Sequence, residues 1–164
     1  MTERRYRAVH SWFTARPGAL KLLRLANRVL PMLIYLPYLG LLGVLLWQRD
    51  SRLLRAVVVP AAVFLACTAL RAALNFPRPY QVYGTPPLTP KDREGQSFPS
   101  RHLFSAAVIA LCGFWIWPPL GAFWACVTAP LAPARVLAGV HFVRDVLAGA
   151  ALGAALGWIG FFVA

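Results

Sequence analysis

The chain has 164 residues, of which 59% are hydrophobic and only 13% are charged. This composition excludes an ordinary soluble domain and predicts a single membrane domain. The 17 Lys and Arg residues against 5 Asp and Glu give a net charge of +12, which favours anionic partners such as phosphate headgroups or nucleic acid. Because the chain is apolar enough for a membrane, we expect a lipid phosphate substrate and a bilayer with anionic lipids as partners, and no nucleic acid.

The N-terminal 28 residues interleave basic side chains with aromatic residues and leucines. This mixture is too charged to cross a bilayer, but it suits helices that lie on a membrane surface. Pro17-Gly18 predicts a break between two short helices. The alternative is a solvated basic tail. We therefore interpret 1–28 as a basic amphipathic interfacial segment and 29–164 as a transmembrane domain.

Apolar runs predict about five membrane-spanning helices in the second segment, each long enough for a hydrocarbon core of roughly 30 Å. The runs lie at 29–47, 53–76, 103–134 and 146–164. Pro118-Pro119 interrupts the third run, which predicts a helical hairpin. In the last run, Gly149, Gly153 and Gly157 recur at every fourth residue, so this helix is expected to pack closely against another. The predicted fold class is an all-α, polytopic membrane helix bundle.

A polar loop, rich in proline and glycine, separates the second and third runs at residues 77–99. A connection of this length is unusual in a compact domain and usually carries function. Arg71 and Arg78 flank its start, and Pro77 and Pro79 favour the end of a helix between them. Both guanidinium groups could then converge on one phosphate. The alternative is that both arginines extend to the membrane interface.

Ser100, Arg101 and His102 stand directly before the third apolar run. Ser100 is a good helix cap, so the unpaired amides of the first turn would face a bound anion. His102 is placed where a proton donor could reach the same anion. The alternative is an incidental histidine at the interface.

Arg135, His141 and Asp145 form a third polar cluster near the last run. Residues four apart share a face of a helix, so Asp145 could hold one ring nitrogen of His141 and leave the other as a nucleophile. The alternative is a structural pair whose acid is neutralised by Arg144. Ionisable groups at membrane depth are costly, which favours a functional role.

Together, the three clusters resemble in order and spacing the three-part signature of the type 2 phosphatidic acid phosphatase superfamily. The matching residues are Arg71, Arg78 and Pro79, then Pro99, Ser100 and His102, then Arg135, His141 and Asp145. The resemblance covers the chain from about residue 55 to its end. It implies a membrane lipid phosphatase built as a helix bundle.

The resemblance also implies a role for each residue of the signature. His141 attacks phosphorus to give a phosphohistidine, Asp145 orients it, and His102 protonates the leaving group. No metal or other cofactor is expected, because arginines and a helix dipole offset the phosphate charge. The implied phosphate ligands are Arg71, Arg78, Ser100, the backbone amide of Arg101, and Arg135.

Three positions depart from the family pattern. Arg71 stands where the family has lysine, Arg101 where it has glycine, and Ala134 where it has serine. The Arg101 side chain could contact a second phosphate, which favours a polyprenyl diphosphate such as undecaprenyl diphosphate over phosphatidic acid. The alternatives are that it extends to the interface or pairs with Asp92 or Glu94.

The resulting hypothesis is a multi-pass cell-membrane phosphatase that removes the terminal phosphate of a lipid phosphate or polyprenyl diphosphate. The alternatives are a phosphatidic acid or phosphatidylglycerol phosphate phosphatase, a lipid phosphotransferase, and a non-catalytic membrane scaffold. Bacterial members of the family mostly act on the outer face, so we expect an extracytoplasmic active site, although the lysine and arginine count favours the opposite orientation. The sequence leaves the oligomeric state open.

Overall fold

The computed structural model of the chain describes residues 2–90 and 94–163, and these residues form helices and loops without a strand. The all-α fold class is therefore confirmed for this part of the chain. The helices, in chain order, are α1 (Glu3–Thr14), α2 (Pro17–Trp47), α3 (Arg52–Leu74), α4 (Pro79–Tyr83), α5 (Arg101–Ile116), α6 (Pro118–Leu137) and α7 (Val143–Trp158), which a π-helical turn continues over Ile159–Val163.

Four helical segments of the described chain are long and apolar enough to cross a membrane. They lie at 17–47, 52–83, 118–137 and 143–163. The fifth predicted span corresponds to α5, which has only 16 residues. At 1.5 Å per residue it is about 24 Å long, shorter than a hydrocarbon core of roughly 30 Å. The chain is a multi-pass helical membrane protein in which α5 falls short of a full span.

Helix α5 lies at the centre of the bundle, between α6 and α7. The glycine stripe of α7 allows this packing, because a Cβ at Gly153 would overlap the backbone of Phe104. At Gly149 an added Cβ would lie 2.7 Å from the carbonyl oxygen of Ser100. The predicted role of the stripe is thus confirmed. The close approach also brings the start of α5 against the start of α7, where the amide of Ser100 donates a 2.8 Å hydrogen bond to the carbonyl oxygen of Asp145.

The N-terminal part of the chain follows the prediction at one point and departs from it at another. The break at Pro17 is confirmed, since α1 ends at Thr14 and α2 begins at Pro17. However, α2 is not short: it continues into the membrane to Trp47, so residue 28 lies within a helix. The buried face of α2 runs through this point, because Leu23 and Asn27 before it and Pro31 and Ile34 after it are buried. The division at residue 28 stays a prediction about domains.

Helix α1 packs against the polar loop and the turn between α6 and α7. Its Tyr6 side chain is buried, and the hydroxyl donates a 3.2 Å hydrogen bond to the carbonyl oxygen of Thr85. Burial raises the pKa of Tyr6 to about 12, so the hydroxyl stays protonated at neutral pH. Gly139, at a φ of +76°, leaves room for the tyrosine ring. Helix α1 therefore supports the backbone two residues before His141.

Candidate active site

The three predicted clusters meet at one end of the helix bundle, where α3 and α6 end and α5 and α7 begin. We call this region the site end. Six of its polar residues are buried, although each carries a charge or a polar group that water would otherwise solvate. They are Arg71, Arg78, Ser100, Arg135, His141 and Asp145. Arg101 and His102 are partly exposed beside them.

Arg71 and Arg78 hold the polar loop in place. Between them α3 ends at Leu74 and is capped by Asn75, whose φ of 40° is left-handed, so the predicted end of the helix is confirmed. Arg71 donates hydrogen bonds to the carbonyl oxygens of Gln96 and Pro99. Arg78 donates from Nη1 to the carbonyl oxygen of Val140, at 3.0 Å. Both side chains point inward, which excludes the alternative of arginines extended to the interface.

His141 does not lie on a helix, which corrects the expectation that it shares a helical face with Asp145. It belongs to the turn between α6 and α7, and α7 begins only at Val143. The turn still brings the imidazole Nδ1 to 3.8 Å from Asp145 Oδ2. This distance is too long for a hydrogen bond, although catalytic hydrogen bonds often tighten only when substrate is bound.

The Asp145 carboxylate is fixed by two other donors. Its Oδ2 accepts a 2.5 Å hydrogen bond from Ser97 Oγ and a 2.9 Å bond from the amide of Phe142, at the start of α7. The sequence reasoning missed Ser97, which is fully buried. One serine in a polar loop has no distinguishing pattern; only its position three residues before Ser100 places it near the cluster.

Ser100 occupies the cap position of α5, as predicted, but its side chain does not cap the helix. Its hydroxyl is buried and has no hydrogen-bond partner among the residues that the structure describes. The expectation of a side-chain cap is therefore wrong. The unsatisfied hydroxyl lies at the N-terminus of α5, which is the positive end of the helix dipole. Together they are suited to bind an anion.

Arg101 and His102 diverge from the start of α5. The guanidinium of Arg101 lies over the ring of Phe64 on α3, with 5.7 Å between its Cζ and the ring centroid. Of the two acidic partners considered for it, Glu94 is exposed and forms no ion pair with it, and Asp92 lies outside the described residues. His102 instead lines a cavity, and the Arg101 side chain does not.

The cavity beside His102 has a volume of about 530 Å³. Its lining residues are Arg24, Asn27, Arg28, Thr89, Pro90, His102 and Arg135. Three of them come from α2, in the segment interpreted as interfacial, and sequence reasoning did not assign them to the site. Their spacing on one helical face was the available signal. Arg135 Nη2 donates a 3.2 Å hydrogen bond to the carbonyl oxygen of Asn27 and so links α2 to the site.

The arrangement is suited to bind and attack a phosphate group. Arg71, Arg78 and Arg135 are buried cations, and Asp145 is the only buried carboxylate in the described part of the chain. An anion would reduce the cost of this excess positive charge. No three His, Cys, Asp or Glu side chains within residues 2–90 and 94–163 are grouped closely enough to share a metal ion.

Comparison with known proteins agrees with the fold and with the family resemblance. The phosphatidylglycerolphosphate phosphatase of Bacillus subtilis, a transmembrane protein of PAP2 type, superimposes with a TM-score of 0.71 at 22% identity, over 96% of this chain and 83% of the other. Aquifex aeolicus LpxE gives 0.65 at 24% identity, over 86% and 93%. No curated protein matches by sequence. The sequence profile of the PAP2 superfamily matches residues 52–163, and the chain belongs to this superfamily.

Proposed function

We propose that the chain is a membrane phosphatase that removes the terminal phosphate of a lipid phosphate or lipid diphosphate through a phosphohistidine, without a metal ion. One observation carries the proposal: three buried arginines and the His141–Asp145 pair converge at one end of a PAP2-superfamily bundle. Buried cations around a histidine provide the electrostatic stabilisation that phosphoryl transfer requires.

The reaction proceeds in two steps. The ring nitrogen of His141 that faces away from Asp145 attacks phosphorus, the bond to the leaving oxygen breaks, and His102 donates a proton to that oxygen. The Asp145 carboxylate accepts a hydrogen bond from the Nδ1–H of His141 and stabilises the positive charge of the ring. In the second step, His102 removes a proton from water, which attacks the phosphohistidine and releases inorganic phosphate and free His141.

Arg71, Arg78 and Arg135 stabilise the phosphate oxygens as charge develops. The hydroxyl of Ser100 and the amide of Arg101 add donors from the start of α5. The Ser100 hydroxyl, which is buried without a partner in the described residues, supports this role most directly. It would gain a hydrogen bond that it lacks without substrate.

Two substrate classes fit this chemistry. A polyprenyl diphosphate such as undecaprenyl diphosphate presents a terminal phosphate with a second phosphate behind it. Phosphatidylglycerol phosphate is the second candidate, and the similarity in fold to the Bacillus subtilis phosphatase favours it. Transfer to a lipid hydroxyl instead of water would use the same phosphohistidine, so product analysis has to accompany any measurement of phosphate release.

The active site is proposed to face the extracytoplasmic side. The cations of the site end bind substrate and are therefore weak indicators of topology. Labelling of a Glu94→Cys variant in intact cells by a membrane-impermeant thiol reagent tests the orientation, in a Cys126→Ser background that removes the exposed native cysteine. Labelling only after the cells are opened would place the site in the cytoplasm.

The decisive test of the function uses purified protein in detergent with a chelator and a panel of lipid monophosphates and diphosphates. We expect wild-type protein to release inorganic phosphate from at least one of them, and His141→Ala to release none. Release that depends on an added divalent metal, or that persists in His141→Ala, would refute the proposed mechanism.

A further inference from the structure

The cavity beside His102 and Arg135 has a basic wall that the family signature does not include. Arg24 and Arg28 of α2 form this wall, together with Thr89 and Pro90 of the polar loop. The two arginines are four residues apart, so their side chains are neighbours on the surface of the helix.

The wall is held in a fixed position relative to the buried arginines. Asn27 Nδ2 donates 3.0 Å hydrogen bonds to the carbonyl oxygens of Leu23 and Ala134. The Asn27 carbonyl oxygen accepts the bond from Arg135, and Arg24 Nε donates a 2.8 Å bond to the carbonyl oxygen of Leu88. Hydrogen bonds thus join helix α2 to α6 and to the polar loop within about one turn of Arg28.

Among the residues that the structure describes around the cavity, none balances the charge of this wall. The cavity lining contains three arginines and no acidic side chain. Arg28 makes no hydrogen bond or ion pair with any residue in the described ranges. Like charges four residues apart on a helix repel each other, and a shared anion removes this repulsion.

The position of His102 indicates which part of a substrate would enter the cavity. In the proposed function His102 protonates the leaving oxygen, and His102 lines this same cavity. With this role for His102, the first atoms of the leaving group would lie between His102 and the basic wall. The Arg101 side chain, which is placed over Phe64, lies outside the cavity lining.

We infer that Arg24 and Arg28 bind a second anionic group, carried by the leaving group a few bonds from the phosphate that is removed. The inference rests on the proposed function for the direction of the leaving group. It names the substrate class as a lipid with two phosphate groups, in preference to a simple lipid monophosphate. The second phosphate could belong to a diphosphate or to a phosphodiester next to a terminal phosphate, and both present the same charge to the wall.

The test measures binding instead of turnover, in the His141→Ala background and in a neutral detergent. Two lipid pairs serve as probes: a polyprenyl diphosphate with its monophosphate, and phosphatidylglycerol phosphate with phosphatidic acid. Arg28→Gln should weaken binding of the doubly phosphorylated member of one pair by about tenfold, the scale of one charge-assisted hydrogen bond. The affinity for the singly phosphorylated member of that pair should change by less than about twofold. The pair that responds identifies the source of the second phosphate.

Lys21→Gln is the matched control, because Lys21 is an exposed cation about two turns before Arg28 on α2 and does not line the cavity. It should leave all four affinities unchanged. Equal weakening of both members of each pair by Arg28→Gln would indicate a general charge effect and overturn the inference. The inference would also be overturned if Arg28→Gln left the preference for the doubly phosphorylated lipid unchanged. The same holds if Arg101→Gly abolished this preference while Arg28→Gln kept it. Phosphate release by wild-type protein tests the proposed function separately.

Discussion

Arginines at the two ends of the bundle are held in different surroundings. At the end opposite the site, which we call the far end, Arg52 pairs with Asp50 at 2.7 Å, and both are accessible to water. Arg55 donates a 2.8 Å hydrogen bond to the carbonyl oxygen of Gly160 and lies beside the Trp115 ring. At the site end, Arg71 and Arg78 are buried and bonded to loop carbonyls. The arginines of the far end keep contact with water, whereas those of the site end are buried.

The difference in burial distinguishes arginines with a structural role at the far end from arginines suited to bind an anionic ligand at the site end. Carbonyl oxygens satisfy the donors of a guanidinium, but they do not cancel its charge. Burial of uncompensated charge is costly, and removal of one partner from a buried charged group is strongly destabilising. A chain that keeps three buried arginines near one carboxylate is therefore expected to bind an anion there. The following predictions test whether the two ends differ in this way.

The largest effect is expected at His141. His141→Ala should lower the rate of lipid phosphate hydrolysis by about 10⁴-fold or more, because no nucleophile remains. Asp145→Asn keeps the attacking nitrogen, so it should lower the same rate by a smaller factor, on the order of 10²-fold. Steady-state kinetics of both variants in detergent checks this order. If both retain wild-type activity, the pair is structural.

The second effect compares one arginine from each end. Arg78→Ala should lower kcat/KM by about 10²-fold to 10³-fold, since it removes a buried donor to the developing phosphate charge. Arg55→Ala, which removes a carbonyl-bonded arginine of the far end, should change kcat/KM by less than about threefold. Thermal unfolding of both variants serves as the control. Equal losses of activity at the two ends would contradict the distinction between them.

A third prediction concerns the packing that brings α5 and α7 together. Gly153→Ala should destabilise the protein by about 1 to 3 kcal/mol, because the new methyl group overlaps the backbone of Phe104. Gly43→Ala is the control, since an added Cβ there meets open space and alanine favours a helix. We expect a lower Tm for the first variant and an unchanged or higher Tm for the second. The reverse order would show that the glycine stripe does not set this contact.

The smallest effect is expected at the far end. Hydrogen bonds from Arg52 lower the pKa of Asp50 below its usual 3.8. A carboxyl with a lowered folded-state pKa contributes stability above its unfolded pKa and loses it as the pH falls through the folded value. Asp50→Asn should therefore lower the Tm slightly at neutral pH, with the difference shrinking as the pH falls below the usual 3.8, and leave activity unchanged. A large loss of activity at neutral pH would mean that the two ends are coupled.

The parts of the site that the sequence predicted are those with local patterns. Pro77 and Pro79 predicted the helix end between Arg71 and Arg78, and the glycine repeat predicted close packing of α7. Both depend on residues that are neighbours in the chain, so periodicity and turn chemistry are sufficient. The apolar runs likewise predicted the spans, apart from the full length of α5.

The parts that the sequence did not predict depend on contacts between distant segments. Arg28 becomes part of the cavity only because Asn27 is fastened to Ala134, 107 residues away. Ser97 becomes important only because the loop places it on Asp145. The predicted helical pairing of His141 with Asp145 was wrong, since the turn before α7 ends at Phe142 and no local pattern fixed that residue.

The measurement that tests the central claim most directly is identification of the residue that carries phosphate during turnover. Wild-type protein is mixed with a phosphate-labelled lipid substrate, quenched in alkali, which preserves phosphohistidine, and digested for mass spectrometry. We expect the label on His141, its loss on treatment with acid, and its absence from the His141→Ala variant. Label on any other residue, or label that persists in His141→Ala, would contradict the claim that His141 at the site end forms the phosphohistidine.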